Sequence, residues 1–168
     1  SLSGGEALEG LNVAGSEINS NLIIIVNDNE QSIAEVHGGM YKNLAELRET
    51  GGTASNNLFK AFGLDYIYEE NGNDIASLIS LFRKLKDTDH PLVVHIHTQK
   101  GKGYEIAEKD KEGWHWCMPF DRETGKPTIS FGDGEDYTSI TAEYIMRKAK
   151  SDSELLVITP AMPGSAGL

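Results

Sequence analysis

The run Leu-Ile-Ile-Ile-Val at residues 22–26 reads as a buried strand, and it passes directly into Asn27-Asp28-Asn29. A core strand that ends in amide and carboxylate oxygens leaves two readings, a turn or a site at the carboxyl end of a parallel sheet. Its neighbours narrow the fold. Ser3 is placed to cap a helix over residues 5–14, with Ala7, Leu8, Leu11 and Ala14 on the apolar face and Glu6 and Glu9 near the positive end of its dipole. Short helices follow at 41–48 and 56–62, the second closed by Gly63, then a strand at 64–68. Asp74 ends an Asn-Gly-Asn-Asp turn and caps a helix in which Ile75, Leu78, Ile79, Phe82 and Leu85 recur at helical spacing. A third strand spans 92–98 after His90-Pro91. Helix and strand alternate throughout, which predicts an α/β fold with a parallel sheet flanked by helices.

Periodicity disappears over 101–135, where glycines, charges and prolines are dense, and this segment reads as an active loop and a linker. A helix at 138–150 and a buried strand at 155–159 then read as the opening of a second α/β domain. The chain has no initiator Met and stops soon after that last apolar run, so it is expected to be a fragment with an incomplete fold. The net charge of −11 argues against nucleic-acid or anionic-membrane partners, because no basic surplus is available to neutralise phosphates. No apolar run approaches the ~20 residues of a membrane-spanning helix. With the single cysteine Cys117, no internal disulfide forms, which fits the cytoplasm.

Two strands end in polar loops, Asn27-Asp28-Asn29 and Gln99-Lys100-Gly101-Lys102-Gly103-Tyr104. If those strands are neighbours, oxygen ligands and ammonium groups meet at one rim. That suits Mg²⁺, which takes few protein oxygens and completes its shell with water and phosphate. Taken alone, Asn-Asp-Asn is more often a turn than a metal site, and Lys-Gly-Lys-Gly is more often a solvated loop. His95 and His97 share a strand face, where partly buried structural histidines are more common than a zinc pair. His115 lies between Trp114 and Trp116, a position where aromatic rings shield an imidazole or merely pack a linker.

Together these residues resemble the 1-deoxy-D-xylulose-5-phosphate synthase family, a transketolase-like group that depends on thiamine diphosphate. Asn27-Asp28-Asn29-Glu30 after an Ile-rich strand is similar to the Asn-x-Asn half of the thiamine-diphosphate motif. The start, SLSGGEALEGLN, resembles the helix that follows the GDG half, and TQKGKGYEIAEKD resembles the family's KKGKGYxPAEKD. Tyr137-Thr138 and Ile158-Thr159-Pro160-Ala161-Met162-Pro163 resemble the opening of its pyrimidine-binding domain. The resemblance implies Asn29 as a Mg²⁺ ligand through its side-chain oxygen and Gln31 as one through its carbonyl. It implies Ser1, Lys100 and Tyr104 beside thiamine diphosphate, and His115 as a catalytic residue on the substrate side. It places Glu9 near the interface of a homodimer.

The implied division is a diphosphate-binding part at 1–112, a linker at 113–135 and the start of the pyrimidine domain at 136–168. The implied reaction condenses pyruvate, with decarboxylation, and glyceraldehyde 3-phosphate in isoprenoid-precursor and thiamine biosynthesis. The chain departs from the family in lacking the GDG aspartate, the upstream histidines and the downstream glutamate that activates the aminopyrimidine. The stretch between Ser32 and Asn56 is short for the family. Asn71-Gly72-Asn73-Asp74 replaces its DGHD, and Gly164 stands where an acidic residue is common. These departures leave open a transketolase-like or 2-oxo-acid dehydrogenase-like enzyme with another substrate, or a degenerate non-catalytic module.

Overall fold

In a computed structural model, which describes residues 2, 4–35, 37–129, 134–159 and 162–167 (without the side chain of Ser165), the expected alternation is present. The elements are α1 Gly5–Glu17, β1 Ile23–Asp28, α2 Gly39–Glu49, α3 Leu58–Ala61, β2 Asp65–Glu69, α4 Ile75–Leu85, β3 Leu92–His97, α5 Glu105–Lys109, α6 Tyr137–Ala149 and α7 Pro163–Ala166. The backbone divides into two compact units, Ser1–Gln31 with Val36–Lys100, and Ser32–Glu35 with Gly101–Leu168.

The first unit holds a three-stranded parallel sheet in the order β1-β3-β2. Strand β3 lies in the centre and alternates between two apolar layers. Val93 joins Leu11 and Ala14 of α1, Leu44 and Leu47 of α2, and Phe59 of α3 on one face. Leu92, Val94 and Ile96 pack on the other face against Leu78, Leu81, Phe82 and Leu85 of α4. The result is a three-layer α/β/α arrangement, an incomplete version of the doubly covered sheets in which parallel strands are found.

The strand expected to be the buried one is in fact at the rim of this sheet. Ile25 of β1 is 53% exposed, whereas Val93 and Val94 of β3 are fully buried. Among the described residues β1 pairs only with β3, so its outer side lacks a covering neighbour. The caps are as expected where the described residues include them. Asp74 Oδ1 and Oδ2 accept from the N–H groups of Ala76 and Ser77, and Gly63 follows α3 at a φ of 85° that favours glycine. Ser3 lies outside the described residues, and the cap position of α1 is Gly4.

In the second unit α6 begins with a capping box between Asp136 and Ser139. The strand expected at 155–159 is absent: Leu156 and Ile158 are 79% and 86% exposed. A strand exists only by pairing, and the described residues of this unit offer that apolar run no sheet to join.

Candidate functional site

Strands β1 and β3 are hydrogen-bonded neighbours, with Asp28 paired to His97, so both polar strand ends lie at one rim of the sheet. Beyond them the Thr98 N–H donates to the Asp28 carbonyl at 2.9 Å, and its hydroxyl donates to Asn27 Oδ1 at 2.6 Å. The Asn71-to-Asp74 turn closes on the same rim. The Gly72 N–H donates to the His97 carbonyl at 2.9 Å, and the Gln99 N–H donates to Asn73 Oδ1 at 2.7 Å. Gly72 is required there, because a Cβ would lie 2.3 Å from that carbonyl oxygen.

The three polar residues at the end of β1 have separate tasks. Asp28 faces the core beside Val26 and is 6% exposed. One carboxylate oxygen accepts from the Glu30 N–H at 3.0 Å; the other accepts from His95 Nε2 at 2.9 Å and from the Arg48 guanidinium of α2. Burial alone pushes this carboxyl up, but the hydrogen bonds from His95, the Glu30 main chain and Arg48 outweigh it and hold the pKa at about 2. His95 is wholly buried, and its Nδ1 lies 2.7 Å from the Tyr66 hydroxyl of β2. Burial, with Tyr68 and Asp28 nearby, raises the Tyr66 phenol far above its ordinary value, so it keeps its proton. Asn27 is occupied by Thr98. Asn29 is half-buried, and its Oδ1 accepts the Gln31 N–H at 3.1 Å.

Between them Glu30 has a φ of 64°. Its carboxylate pairs with His97 Nε2 at 2.8 Å, with Arg48 Nε at 3.9 Å. His95 and His97 thus each hold a carboxylate, Asp28 and Glu30 respectively. The donor set that remains fits Mg²⁺. Asn29 Oδ1 has a second lone pair beyond the one used by Gln31, and the Gln31 carbonyl is another neutral oxygen; a hard cation is held by such donors together with phosphate and water.

Other expected site residues fall in different places. Lys100 is part-buried directly after this rim, in the first unit. Ser1 lies outside the described residues. Tyr104 and His115 belong to the second unit. There Gly101-Lys102-Gly103 makes a tight turn into α5: Tyr104 N–H donates to the Gly101 carbonyl at 3.1 Å, and Gly103 N–H to a Glu108 carboxylate oxygen at 2.8 Å. Gly101 has a φ of 80° and lies so close to α5 that a Cβ would be 2.7 Å from the Ala107 backbone.

The Tyr104 ring packs with Trp114 and Phe120, at centroid distances of 5.0 and 5.7 Å, and its hydroxyl donates to the Arg122 carbonyl. His115 is exposed and Trp116 is 69% exposed, so of the two readings of this segment, shielding of the imidazole by its neighbours is not found.

The sequence reading missed Arg48 and Tyr66 and undervalued His95. A signal was present: Asp28 and His95 continue the inward positions of Val26 and Val93 on their strands, and a polar side chain there needs partners.

A parallel sheet flanked by helices, with a polar loop at its carboxyl rim, places the chain in the open-sheet α/β class. The family profile described as 1-deoxy-D-xylulose-5-phosphate synthase matches residues 1–55 and 49–98, and the chain belongs to that family. It is 34% identical to 1-deoxy-D-xylulose-5-phosphate synthase 1 of Geobacter metallireducens over 100% of this chain and 32% of the relative. The synthase of Yersinia pseudotuberculosis is 33% identical over 99% of this chain and 32% of its own length. That of Listeria monocytogenes is 36% identical over 96% of this chain and 28% of its own length. The chain therefore spans about a third of the length of the curated relatives it matches.

Proposed function

We propose that this chain carries part of a thiamine-diphosphate and Mg²⁺ site in a transferase. The reaction joins pyruvate, after loss of CO₂, to glyceraldehyde 3-phosphate and gives 1-deoxy-D-xylulose 5-phosphate for isoprenoid-precursor and thiamine biosynthesis. The carrying observation is that relatives bearing this name match along the chain, at a rim where Asp28 is committed internally and Asn29 retains an oxygen for a cation. Thiamine diphosphate, when bound, supplies the carbanion chemistry. The residues of this chain bind and orient it.

Asn29 and Gln31 hold Mg²⁺ by oxygen, and the Ser1 main chain meets the diphosphate. Lys100 offsets phosphate charge, and Tyr104 lines the cofactor. His115 handles the intermediates on the substrate side. Residues 1–112 form the diphosphate-binding part, 113–135 the linker and 136–168 the start of the pyrimidine domain. The enzyme is a cytoplasmic homodimer in this reading. No described helix is long and apolar enough to cross a membrane.

Turnover of the full-length protein with both substrates tests the activity; absence of pyruvate decarboxylation ends the proposal. Asn29→Ala is expected to abolish metal-dependent cofactor binding in calorimetry, and Lys100→Ala to weaken it. His115→Ala is expected to slow turnover with cofactor still bound; full activity removes His115 from the chemistry.

A further inference from the structure

Glu30 is the only non-glycine residue at positive φ among the described residues, and it lies between Asn29 and Gln31. Left-handed backbone is unfavourable for a residue with a Cβ, so the surroundings must hold it there. They do so from below and from the side. The N–H of Glu30 is bound by Asp28, and Asp28 is fixed by buried His95 and by Arg48. His95 is fixed in turn at its other nitrogen by Tyr66, whose ring stacks on Phe59 at 5.6 Å. The Glu30 carboxylate is held by His97. The conformation of the loop is therefore imposed by the core of the sheet.

Because Asn29 and Gln31 flank Glu30, its backbone angles set how the Asn29 side-chain oxygen and the Gln31 carbonyl are aimed relative to each other. We infer that Glu30, anchored through Asp28 and His95, is a positioning residue that pre-aims the two oxygens for a small octahedral cation and so sets the selectivity of the site for Mg²⁺ over Ca²⁺. Mg²⁺ demands near-ideal octahedral geometry at short distances, whereas Ca²⁺ accepts looser shells, so misaimed oxygens penalise Mg²⁺ more. This inference rests on the proposed metal role of Asn29 and Gln31.

The test uses two substitutions at this exposed position. Glu30→Gly and Glu30→Val both remove the contact with His97, but glycine adopts positive φ freely and valine resists it strongly. The full-length protein with thiamine diphosphate is titrated calorimetrically with MgCl₂ and, separately, with CaCl₂; thermal melting confirms folding of each variant. Glu30→Val is expected to weaken Mg²⁺ binding about tenfold, in line with the penalty for forcing such a backbone, with a clearly smaller change for Ca²⁺. Glu30→Gly is expected to stay close to the wild type for both ions. Equal affinities in the two variants, or equal losses for Mg²⁺ and Ca²⁺, overturn the inference. Asn29→Ala is the control: if it binds Mg²⁺ like the wild type, or the wild type binds none, the metal reading itself fails and takes the inference with it. Loss in Asn29→Ala with unchanged selectivity in Glu30→Val refutes the positioning role alone.

Discussion

Replacing Asp28 with asparagine changes one atom at the most heavily bonded carboxylate of the sheet. The folded pKa of about 2 lies below the ordinary 3.8, so the ionised form is favoured by folding. The stabilisation is fully present above the unfolded value and is lost as the pH falls from there towards about 2. A drop from 3.8 to about 2, at about 1.36 kcal/mol per pH unit, corresponds to about 2 kcal/mol. Asp28→Asn keeps an oxygen for the Glu30 N–H but loses the charge that faces Arg48, and its amide N–H₂ must sit against donors. At neutral pH the variant is expected to be less stable by about 2 kcal/mol or more.

The measurement is urea unfolding followed by circular dichroism, with a chelator present, from neutral pH down to about pH 2. The wild type should lose about 2 kcal/mol more than the variant across the acid window, so that the two curves converge. Curves that stay parallel from neutral pH to pH 2 would refute the reasoning, because Asp28 would then titrate alike in the folded and unfolded chain.

Tyr66→Phe removes the partner of His95 Nδ1 while keeping the ring on Phe59, and it should cost about 1 kcal/mol in the same urea assay. Phe59→Ala empties a fully buried position beneath α1 and α2, and a loss of about 3–5 kcal/mol is expected from chemical denaturation. Gly15 and Gly10 make an internal contrast on α1. A Cβ at Gly15 would lie 1.8 Å from the Phe62 carbonyl oxygen, whereas one at Gly10 meets nothing within 4 Å. Melting curves should therefore show Gly15→Ala destabilised by about 2–3 kcal/mol. Gly10→Ala should gain up to about 1 kcal/mol from helix propensity.

What could be read from the sequence was what local chemistry decides. The apolar spacing of α4, its Asp74 cap and the Gly63 terminator each depend on residues a few positions apart, and all three are in place. Asn27 and Asp28, expected to shape the loop, do make contacts that hold it, to Thr98 and to the Glu30 N–H. Strand order is decided by distant pairing, and for that reason the Ile-rich run read as buried although it lies at the edge and β3 takes the middle. The buried polar chain joins residues of four elements, so no window of sequence displays it. The apolar run at 155–159 had the composition of a strand, but composition does not supply a partner. Helix α1 runs to Glu17 because Gly15-Ser16-Glu17 tolerates helix without adding to the apolar stripe that marked its earlier turns.

The line from Tyr66 through His95 to Asp28 crosses all three strands on a diagonal, because Tyr66 is level with Val93 and Asp28 with His97. Its consequence is a registration mark. Runs such as Ile-Ile-Ile-Val and Leu-Val-Val are apolar on both faces, so greasy packing alone hardly distinguishes one alignment of β1 on β3 from another. A slip of one residue turns the polar groups to the opposite layer. A slip of two in the direction that carries Asp28 away from His95 keeps the layer but adds about 6–7 Å along the strand, leaving a carboxylate and an imidazole stranded in the core. The observed alignment satisfies all of these groups, and it brings the ends of β1 and β3 level, where the Asn29 loop begins.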